Sequence, residues 1–348
     1  MKSNYRYIVK AFMAMAVIAG TTSCDDFLDR EPMSSISPET YYSTAAQLEA
    51  NLNDEYPNVL PSFGQWTYGI FGEDKGTDNQ IEVNANDRYT QDRWKVPHSE
   101  SDNWKFERIY RINFFLSEAL PKFGEDMSGS QNTISGSVAT IKHYIGEMYF
   151  LRAYEYFKKL QLFGDFPIIN QPLADEMEAL REASKRFPRN EVARFIISDL
   201  DKAYAYMSDV DMATTRINKD VAMLVKSRVA LFEATWLQNF KGTAFVPGGE
   251  GWPGASLHNN YQYPSGNIDN EVKYFLEQAV EASKLVADKY KGSLTENTGV
   301  LQQSADDPSN PYFDMFAQED LSDVKEVLLW RQYARGLSTH NINAAAGR

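Results

Sequence analysis

One long apolar pattern constrains the fold of this 348-residue chain more than any other feature. From Thr133 to Phe163, apolar side chains recur every three or four positions, which is the spacing of one face of an α-helix. Gly164 ends the pattern and Pro167 follows it, as is usual where a helix stops, since glycine accepts left-handed backbone angles and proline cannot continue the helix. The pattern therefore predicts one long helix, followed by a short extended segment from Phe166 to Ile169.

Five more segments carry helical signals. Ser37 and Pro38 are typical of a helix start, and Pro57 and Pro61 predict the end of that helix near Tyr56. Four later helices are predicted. The first begins near Asp102 and ends before a loop at Phe123, and the second runs from Arg189 to Met207 with Asn190 as the cap. The third runs from Asn218 through Trp236, and the fourth from Asp269 to Tyr290.

Long irregular segments separate these helices. Residues 62–101 and 242–267 are rich in glycine, asparagine and aromatic residues and lack a helical period, and segments of this length are often functional. Residues 326–330 form a β-like run. Paired amphipathic helices with such loops predict a mainly α fold of about three irregular tetratricopeptide-like pairs with little β structure, although the strict repeat consensus is absent.

The N-terminus has the layout of an exported chain. Three basic residues precede a ten-residue apolar run, and small residues lead to Cys24, the only cysteine. The run is too short for a membrane-spanning helix, which needs about 20 apolar residues. We therefore predict a signal peptide over residues 1–23, a lipidated Cys24 as the new N-terminus, and a polar tether over residues 24–37, which together anchor the chain to a membrane. The alternative is an ordinary signal peptide with a chance cysteine.

Composition narrows the classes of partner. With 35 Lys and Arg against 48 Asp and Glu, the formal net charge is -13. This charge argues against nucleic acid, whose phosphates require a basic surface, and against electrostatic adhesion to anionic lipid. Hydrophobic residues make up 43% of the chain, so it can bury a core. Neutral ligands such as sugars are compatible with this charge.

Signals for catalysis and metal binding are weak. No ligand spacing connects the four histidines, His98, His143, His258 and His340. The segment Gly249–Gly254 fits a GxGxxG pattern, but no strand precedes it and Pro253 would interrupt a helix start, so it does not predict a dinucleotide site. Carboxylates are abundant, yet no pair stands out as the acid and base of a glycosidase. We therefore predict a chain that is not an enzyme and holds no metal or cofactor.

Four segments together resemble the SusD/RagB family of outer-membrane glycan-binding lipoproteins. They are Cys24–Pro32 (CDDFLDREP), Trp104–Asn113 (WKFERIYRIN), Gly146–Pro167 (GEMYFLRAYEYFKKLQLFGDFP) and the segment from Arg216 to Leu231. The third is the most specific, and we interpret its residues as scaffold rather than as ligand contacts. Family members usually continue past this length with a second, loop-rich part. The resemblance therefore implies that residues 38–348 are a SusD-like helical-repeat domain, an α-α superhelix that is incomplete at its C-terminus.

The resemblance implies a role in nutrient uptake. A chain of this kind would sit on the cell surface, held to the outer membrane by its lipid, and would capture an oligosaccharide. It would then deliver the glycan to a SusC-type TonB-dependent transporter, without covalent chemistry. Two alternatives stay open: a helical-repeat scaffold whose only ligand is a protein partner or a peptide, and a surface glycosidase.

A sugar site needs exposed aromatic rings for stacking and polar side chains for hydrogen bonds, and two segments offer both. In the family, aromatic ligand contacts come partly from the loop before the helix that corresponds to Trp104–Asn113. The candidate ligand-binding residues in that loop are Trp66, Tyr68, Asn84, Arg88, Tyr89 and Trp94. A second set contains Trp252 and Tyr261. For each aromatic residue the alternative is packing beneath its loop.

Overall fold

The computed structural model describes residues 41–61, 103–124, 126–207, 212–301, 304 and 306–332. These residues form eight α-helices and no named strand, which confirms the mainly α fold. We number the helices in chain order: α1 Ala45–Val59, α2 Glu107–Phe123, α3 Val138–Phe163, α4 Met177–Ala183, α5 Arg189–Tyr206, α6 Lys219–Asn239, α7 Ile268–Tyr290 and α8 Pro311–Ala317. None of these helices is both long enough and apolar enough to cross a membrane.

Helix α3 is the centre of the packing. Helices α1, α2 and α5 all pack against it, α6 packs on α5, and α7 packs on α6. Nearly every residue of α3 from Ile141 to Leu160 is buried. A helix that is apolar on most of its circumference must be enclosed by others, so the long pattern that stands out in the sequence becomes the core of the helical stack.

Gly146 sets the distance between α3 and the end of α5. A Cβ atom at this position would lie 2.8 Å from the Met207 backbone nitrogen and 2.9 Å from the Ala203 carbonyl oxygen. Both are backbone atoms, which cannot rotate away as a side chain can. The two helices can therefore approach this closely only because residue 146 has no side chain.

The first described helix departs from the sequence prediction at both ends. Residues 41–44 are not helical, and α1 begins at Ala45. The Thr44 hydroxyl accepts a hydrogen bond from the Gln47 N–H while the Gln47 side chain accepts one from the Thr44 N–H, a capping box that fixes this start. Pro57 lies inside α1 rather than ending it. Because it stands in the last turn, it removes one hydrogen bond only.

One other predicted helix start and one predicted cap need correction. Helix α3 begins at Val138, not Thr133, because the Ser137 side chain accepts a hydrogen bond from the Thr140 N–H and so caps the helix. Asn190 is not a cap, since Pro188 occupies that position and Asn190 lies within the first turn of α5. Asn218 does cap α6, accepting hydrogen bonds from the Asp220 and Val221 N–H groups, both at 3.1 Å. That prediction is confirmed.

The β-like run at residues 326–330 forms no strand. The Leu328 carbonyl accepts a hydrogen bond from the Asn218 side chain at 2.9 Å, and the Trp330 N–H donates to the Thr214 carbonyl at 3.1 Å. The run therefore lies as a single extended segment against the start of α6. The extended segment after α3 is confirmed, because Phe166 forms an isolated antiparallel bridge with Phe187.

The short helices α4 and α8 are not predicted by the sequence pattern, since seven residues are too few to show a period. The predicted signal peptide, the tether and Cys24 lie outside the described residues, and those boundaries stay predictions.

Candidate functional site

An open cleft of about 1050 Å³ lies where the C-terminal end of α3 meets the start of α5, the last turns of α6 and the loop after α6. Its aromatic wall consists of Phe163, Trp236, Phe245 and the edge of Trp252. Phe245 exposes 62% of its surface. Binding clefts of this kind combine apolar walls with a few polar groups that fix the orientation of the ligand.

A chain of ring contacts holds the aromatic wall in place. Trp236 lies 4.5 Å from Phe240, and Phe240 lies 5.4 Å from Phe245, both measured between ring centroids. The Trp236 indole N–H donates to the Phe245 carbonyl at 3.1 Å. The exposed ring of Phe245 is therefore tied back to α6 by its own backbone, so that the loop presents this ring at a defined place.

Asp165 connects three elements at the floor of the cleft. Gly164, with a φ of 68°, turns the chain out of α3 and places Asp165 beside the first turn of α5. One carboxylate oxygen accepts the Arg189 backbone N–H at 2.9 Å, and the other accepts the Trp252 indole N–H at 2.8 Å. Burial raises the pKa of Asp165, and these two hydrogen bonds act in the opposite direction.

A buried ion pair supports the cleft from below. The Arg189 guanidinium donates to both carboxylate oxygens of Glu233 at 2.9–3.1 Å. It also stacks 4.1 Å from the centroid of the Trp236 ring. Burial raises the pKa of Glu233, and the Arg189 charge opposes that rise. This pair joins α5 to α6 and fixes the orientation of the indole that lines the cleft.

Arg186 lies at the rim of the cleft, on the connection that enters α5. Its guanidinium stacks 4.5 Å from the centroid of Trp104, and Trp104 packs 4.9 Å from the Phe163 ring. Trp104 is the second described residue after the predicted ligand-binding segment. The C-terminal border of that segment therefore lies next to the cleft.

Consecutive lysines of α3 hold both borders of the segment. Lys158 donates to the Val59 carbonyl, and Lys159 donates to the Asn103 carbonyl at 2.8 Å. Glu155 forms ion pairs with both lysines, at 3.4 and 3.3 Å. One turn of the central helix therefore fixes where the chain leaves α1 and where it returns before α2.

The structure describes two of the eight candidate ligand-binding residues. Trp66, Tyr68, Asn84, Arg88, Tyr89 and Trp94 lie outside the described residues and stay predictions. Trp252 and Tyr261 come together, with ring centroids 5.6 Å apart. Trp252 is only 5% exposed and stacks on His258, so it offers an edge to the cleft and no open face. The Tyr261 hydroxyl is held by the Asn190 side-chain amide at 2.9 Å.

The most specific sequence motif divides into two parts. Arg152 is buried and donates to both oxygens of Asp199, at 2.6 and 2.8 Å, and to the Asn113 side chain at 2.9 Å. This part is scaffold, as interpreted from the sequence. Near the end of the motif, Gln161–Asp165 line the cleft. For these residues the interpretation as scaffold stays a prediction.

The described residues offer few groups suited to metal binding or to glycoside hydrolysis. No group of three or more His, Cys, Asp or Glu side chains there could hold a metal ion. Among the described residues that line the cleft, Asp165 is the single carboxylate, and both of its oxygens accept hydrogen bonds. A glycosidase would require a second carboxylate about 5–10 Å away.

Comparison with known proteins shows the family. Residues 26–231 match the model of a SusD-like family described as starch-binding and associating with the outer membrane. SusD-like protein P2 of Formosa agariphila is 25% identical over 253 residues, covering 69% of this chain and 46% of the relative. SusD-like protein P25 of the same organism is 25% identical over 233 residues, covering 62% of this chain and 41% of the relative. This chain therefore spans less than half the length of these curated relatives.

Solved structures give more distant matches. A SusD-like protein from Bacteroides fragilis is 20% identical with a TM-score of 0.42, covering 61% of this chain and 40% of that protein. A SusD-like carbohydrate-binding protein from the same organism is 15% identical with a TM-score of 0.43, covering 74% and 43%. The family assignment rests on the sequence match instead, which covers more than half of the chain. This chain belongs to the SusD-like family.

Proposed function

We propose that this chain captures an oligosaccharide at the cell surface and delivers it to a SusC-type TonB-dependent transporter of the outer membrane. In this proposal Cys24 carries the lipid anchor, and the mechanism is binding and handover without covalent chemistry. The observation that carries the proposal is the match of residues 26–231 to a family described as starch-binding and associating with the outer membrane.

The chemistry of the cleft supports glycan binding. A sugar ring presents CH groups that pack on aromatic faces, and Phe245 and Trp236 supply such faces on one wall. Its hydroxyl groups need hydrogen-bond partners, and Gln161 and Arg186 of the cleft lining offer them. The cleft volume of about 1050 Å³ is large enough for several sugar rings.

The candidate residues of the first irregular segment, residues 62–101, extend this site in the proposal. Tyr89 and Trp94 would supply further stacking surfaces, and Asn84 and Arg88 would supply hydrogen bonds. What supports this assignment is the position of Trp104, which borders the segment and packs against Phe163 on the cleft wall.

Isothermal titration calorimetry tests the proposal directly. The chain from Asp25 onward is titrated with malto-oligosaccharides first, since the family is described as starch-binding, and then with a panel of other oligosaccharides. Phe245→Ala, Tyr89→Ala and Trp94→Ala are each expected to weaken binding about tenfold or more, at an unchanged melting temperature. Phe316→Ala is the matched control, because Phe316 is 71% exposed but lies on α8, outside the cleft.

The same experiment can contradict the proposal. A chain that melts cooperatively and binds no oligosaccharide of the panel would not be a glycan-capture protein. Binding that is equally strong in all four variants would show that the glycan site lies elsewhere in the chain.

A further inference from the structure

We propose that the cleft selects sugars that carry a carboxylate, such as uronic acids, and that Arg186 determines this selectivity. The inference rests on the proposed function, since it specifies the class of glycan that the same cleft binds. The charge of the whole chain, -13, would by itself disfavour an acidic ligand. Selectivity for an acidic sugar therefore requires a cation at the cleft that has no ion-pair partner.

Arg186 is the cation of the described cleft lining that has no ion-pair partner. In the part of the chain that the structure describes, its guanidinium forms no ion pair and donates no hydrogen bond, and its contact is the face of Trp104. Stacking on an aromatic ring leaves the edge of a guanidinium free. That edge carries parallel N–H groups, whose spacing matches the two oxygens of a carboxylate.

The other charged groups of the cleft lining already have hydrogen-bond partners. Arg189 is held by both oxygens of Glu233. Asp165 forms no ion pair with Arg186, although the Arg186 charge opposes the rise that burial causes in the pKa of Asp165. Both Asp165 oxygens accept N–H groups, from Arg189 and from Trp252. A ligand that enters the cleft therefore meets free donors at Arg186, while the Asp165 carboxylate is already held by two N–H groups.

The backbone of Arg186 is fixed on both sides. His258 donates from Nε2 to the Arg186 carbonyl at 2.8 Å, which ties this residue to the loop after α6. The next residue, Phe187, exchanges two backbone hydrogen bonds with Phe166, at 3.0 and 3.2 Å. The fixed backbone and the contact with Trp104 restrict the positions of the exposed guanidinium, and this preorganisation favours affinity.

The positions of the aromatic and basic groups suit an acidic sugar. Phe245 and Trp236 belong to α6 and the loop after it, whereas Arg186 belongs to the connection before α5 and stacks on Trp104. In the proposal, a sugar ring packed on Phe245 or Trp236 directs its carboxylate toward this guanidinium. A neutral sugar could use the same aromatic faces but would leave the charge of Arg186 unmatched.

A matched pair of ligands isolates this preference. Trigalacturonic acid and the neutral α-1,4-linked galactotriose share their linkage and differ only in the group at C6. We expect the wild-type chain to bind the acidic trisaccharide about tenfold or more tightly, which is the usual contribution of a hydrogen bond to a charged group. The preference should fall as NaCl is raised from 50 to 500 mM, while binding of the neutral sugar should not change.

Variants identify the residue responsible. Arg186→Gln should reduce affinity for the acidic trisaccharide about tenfold and leave affinity for the neutral one unchanged, and Arg186→Lys should restore part of the loss. Arg181→Gln is the control, because it removes the same charge from α4, where the side chain is 72% exposed and lies outside the cleft.

The outcomes separate the inference from the proposed function. Equal affinity for the two trisaccharides, or equal losses for both in Arg186→Gln, would overturn the selectivity and leave glycan binding intact. If a neutral oligosaccharide of the panel binds and the acidic one does not, the inference is likewise wrong. Failure of every glycan to bind the folded chain would overturn both.

Discussion

Arg152 of α3 and Asp199 of α5 form a buried ion pair with two hydrogen bonds, at 2.6 and 2.8 Å. Arg152 also donates to the side chain of Asn113 and to the carbonyl of Asn170. One guanidinium therefore connects three helices and the extended segment that follows α3. Such an ion pair must stay intact, because either side chain without the other would be a buried charge without a partner.

Replacing Asp199 by Asn should therefore destabilise the chain severely. The variant keeps the shape but leaves the Arg152 charge buried without an anion, at an expected cost of about 3–5 kcal/mol in the free energy of unfolding. Urea unfolding followed by circular dichroism measures this cost. Asp288→Asn is the control, since its pair with Lys284 is exposed on α7 and should contribute less than about 1 kcal/mol. Similar losses in both variants would contradict the argument.

Gly146→Ala should also destabilise the fold, through packing alone. The added methyl group would lie 2.8 Å from the Met207 nitrogen and 2.9 Å from the Ala203 oxygen, so α3 and α5 must separate. Overpacking of this kind costs about 1–3 kcal/mol. In Gly292→Ala the new methyl group meets no atom within 4 Å, and the urea midpoint should hardly change. A Gly146→Ala variant as stable as wild type would show that the two helices can separate freely.

Local signals in the sequence predict helices well and helix ends less well. Asn218 is predicted as a cap correctly because its side chain bonds to N–H groups two and three residues away. Asn190 looks equally suitable, but its amide is used by Glu271 of α7, 81 positions later in the chain. No local pattern reveals such a partner. Pro57 has a different explanation: it is tolerated because α1 ends soon after it.

The cleft could be predicted only in part. The aromatic content of residues 242–267 points to Trp252 and Tyr261, but these rings turn out to be held by Asp165 and Asn190. Arg186 and Phe245 could not be predicted as cleft residues from the sequence, because α3, α5 and α6 must pack before these side chains share one cleft. The one available signal is the spacing of Trp236, Phe240 and Phe245, which brings three aromatic rings to the end of α6.

Glu55 should make stability depend on pH in an identifiable direction. Burial raises its pKa more than the neighbouring Arg111 guanidinium lowers it, and one of its oxygens has no hydrogen-bond partner among the described residues. A carboxyl whose pKa is higher in the folded chain than in the unfolded chain contributes stability at low pH and loses it as pH rises through the folded value. Stability relative to Glu55→Gln should therefore fall as pH rises above the usual pKa of a glutamate.

Glu271→Gln provides a control of opposite sign. Burial acts to raise the pKa of Glu271, but hydrogen bonds from Arg194, Asn190 and Ser265 outweigh it and lower the pKa. Stability relative to this variant should rise with pH up to the usual pKa of a glutamate and then stay constant, because the carboxylate form is favoured in the folded chain. Urea unfolding at several pH values, with all three proteins in the same buffers, measures both slopes. Parallel slopes for the two variants would contradict the assignment.

Cys24 should carry the lipid anchor. In cells with an outer membrane, the wild-type chain is expected in the membrane fraction, and its N-terminal peptide should have the mass of an acylated cysteine. Cys24→Ala should lose both properties, whereas Ser23→Ala keeps a small residue at the cut site and should retain them. Mass spectrometry of the purified proteins distinguishes the cases. An unmodified thiol at residue 24 in the wild-type chain would show that this is an ordinary signal peptide.

Lys159 should influence glycan binding without touching the ligand. It donates to the Asn103 carbonyl at 2.8 Å, one residue before the tryptophan that supports Arg186. Lys159→Met keeps the length of the side chain but removes this donor and leaves Glu155 with one lysine partner. Since the border of the cleft is then less constrained, we expect weaker glycan binding together with a lower melting temperature.

Lys159→Arg should restore most of the binding, because it can donate to the same carbonyl. Lys142→Met on the same helix forms the control, as Lys142 has no ion pair or hydrogen bond from its side chain in the described residues. Unchanged glycan affinity in Lys159→Met would separate the lysine from the site and leave it a purely structural contact.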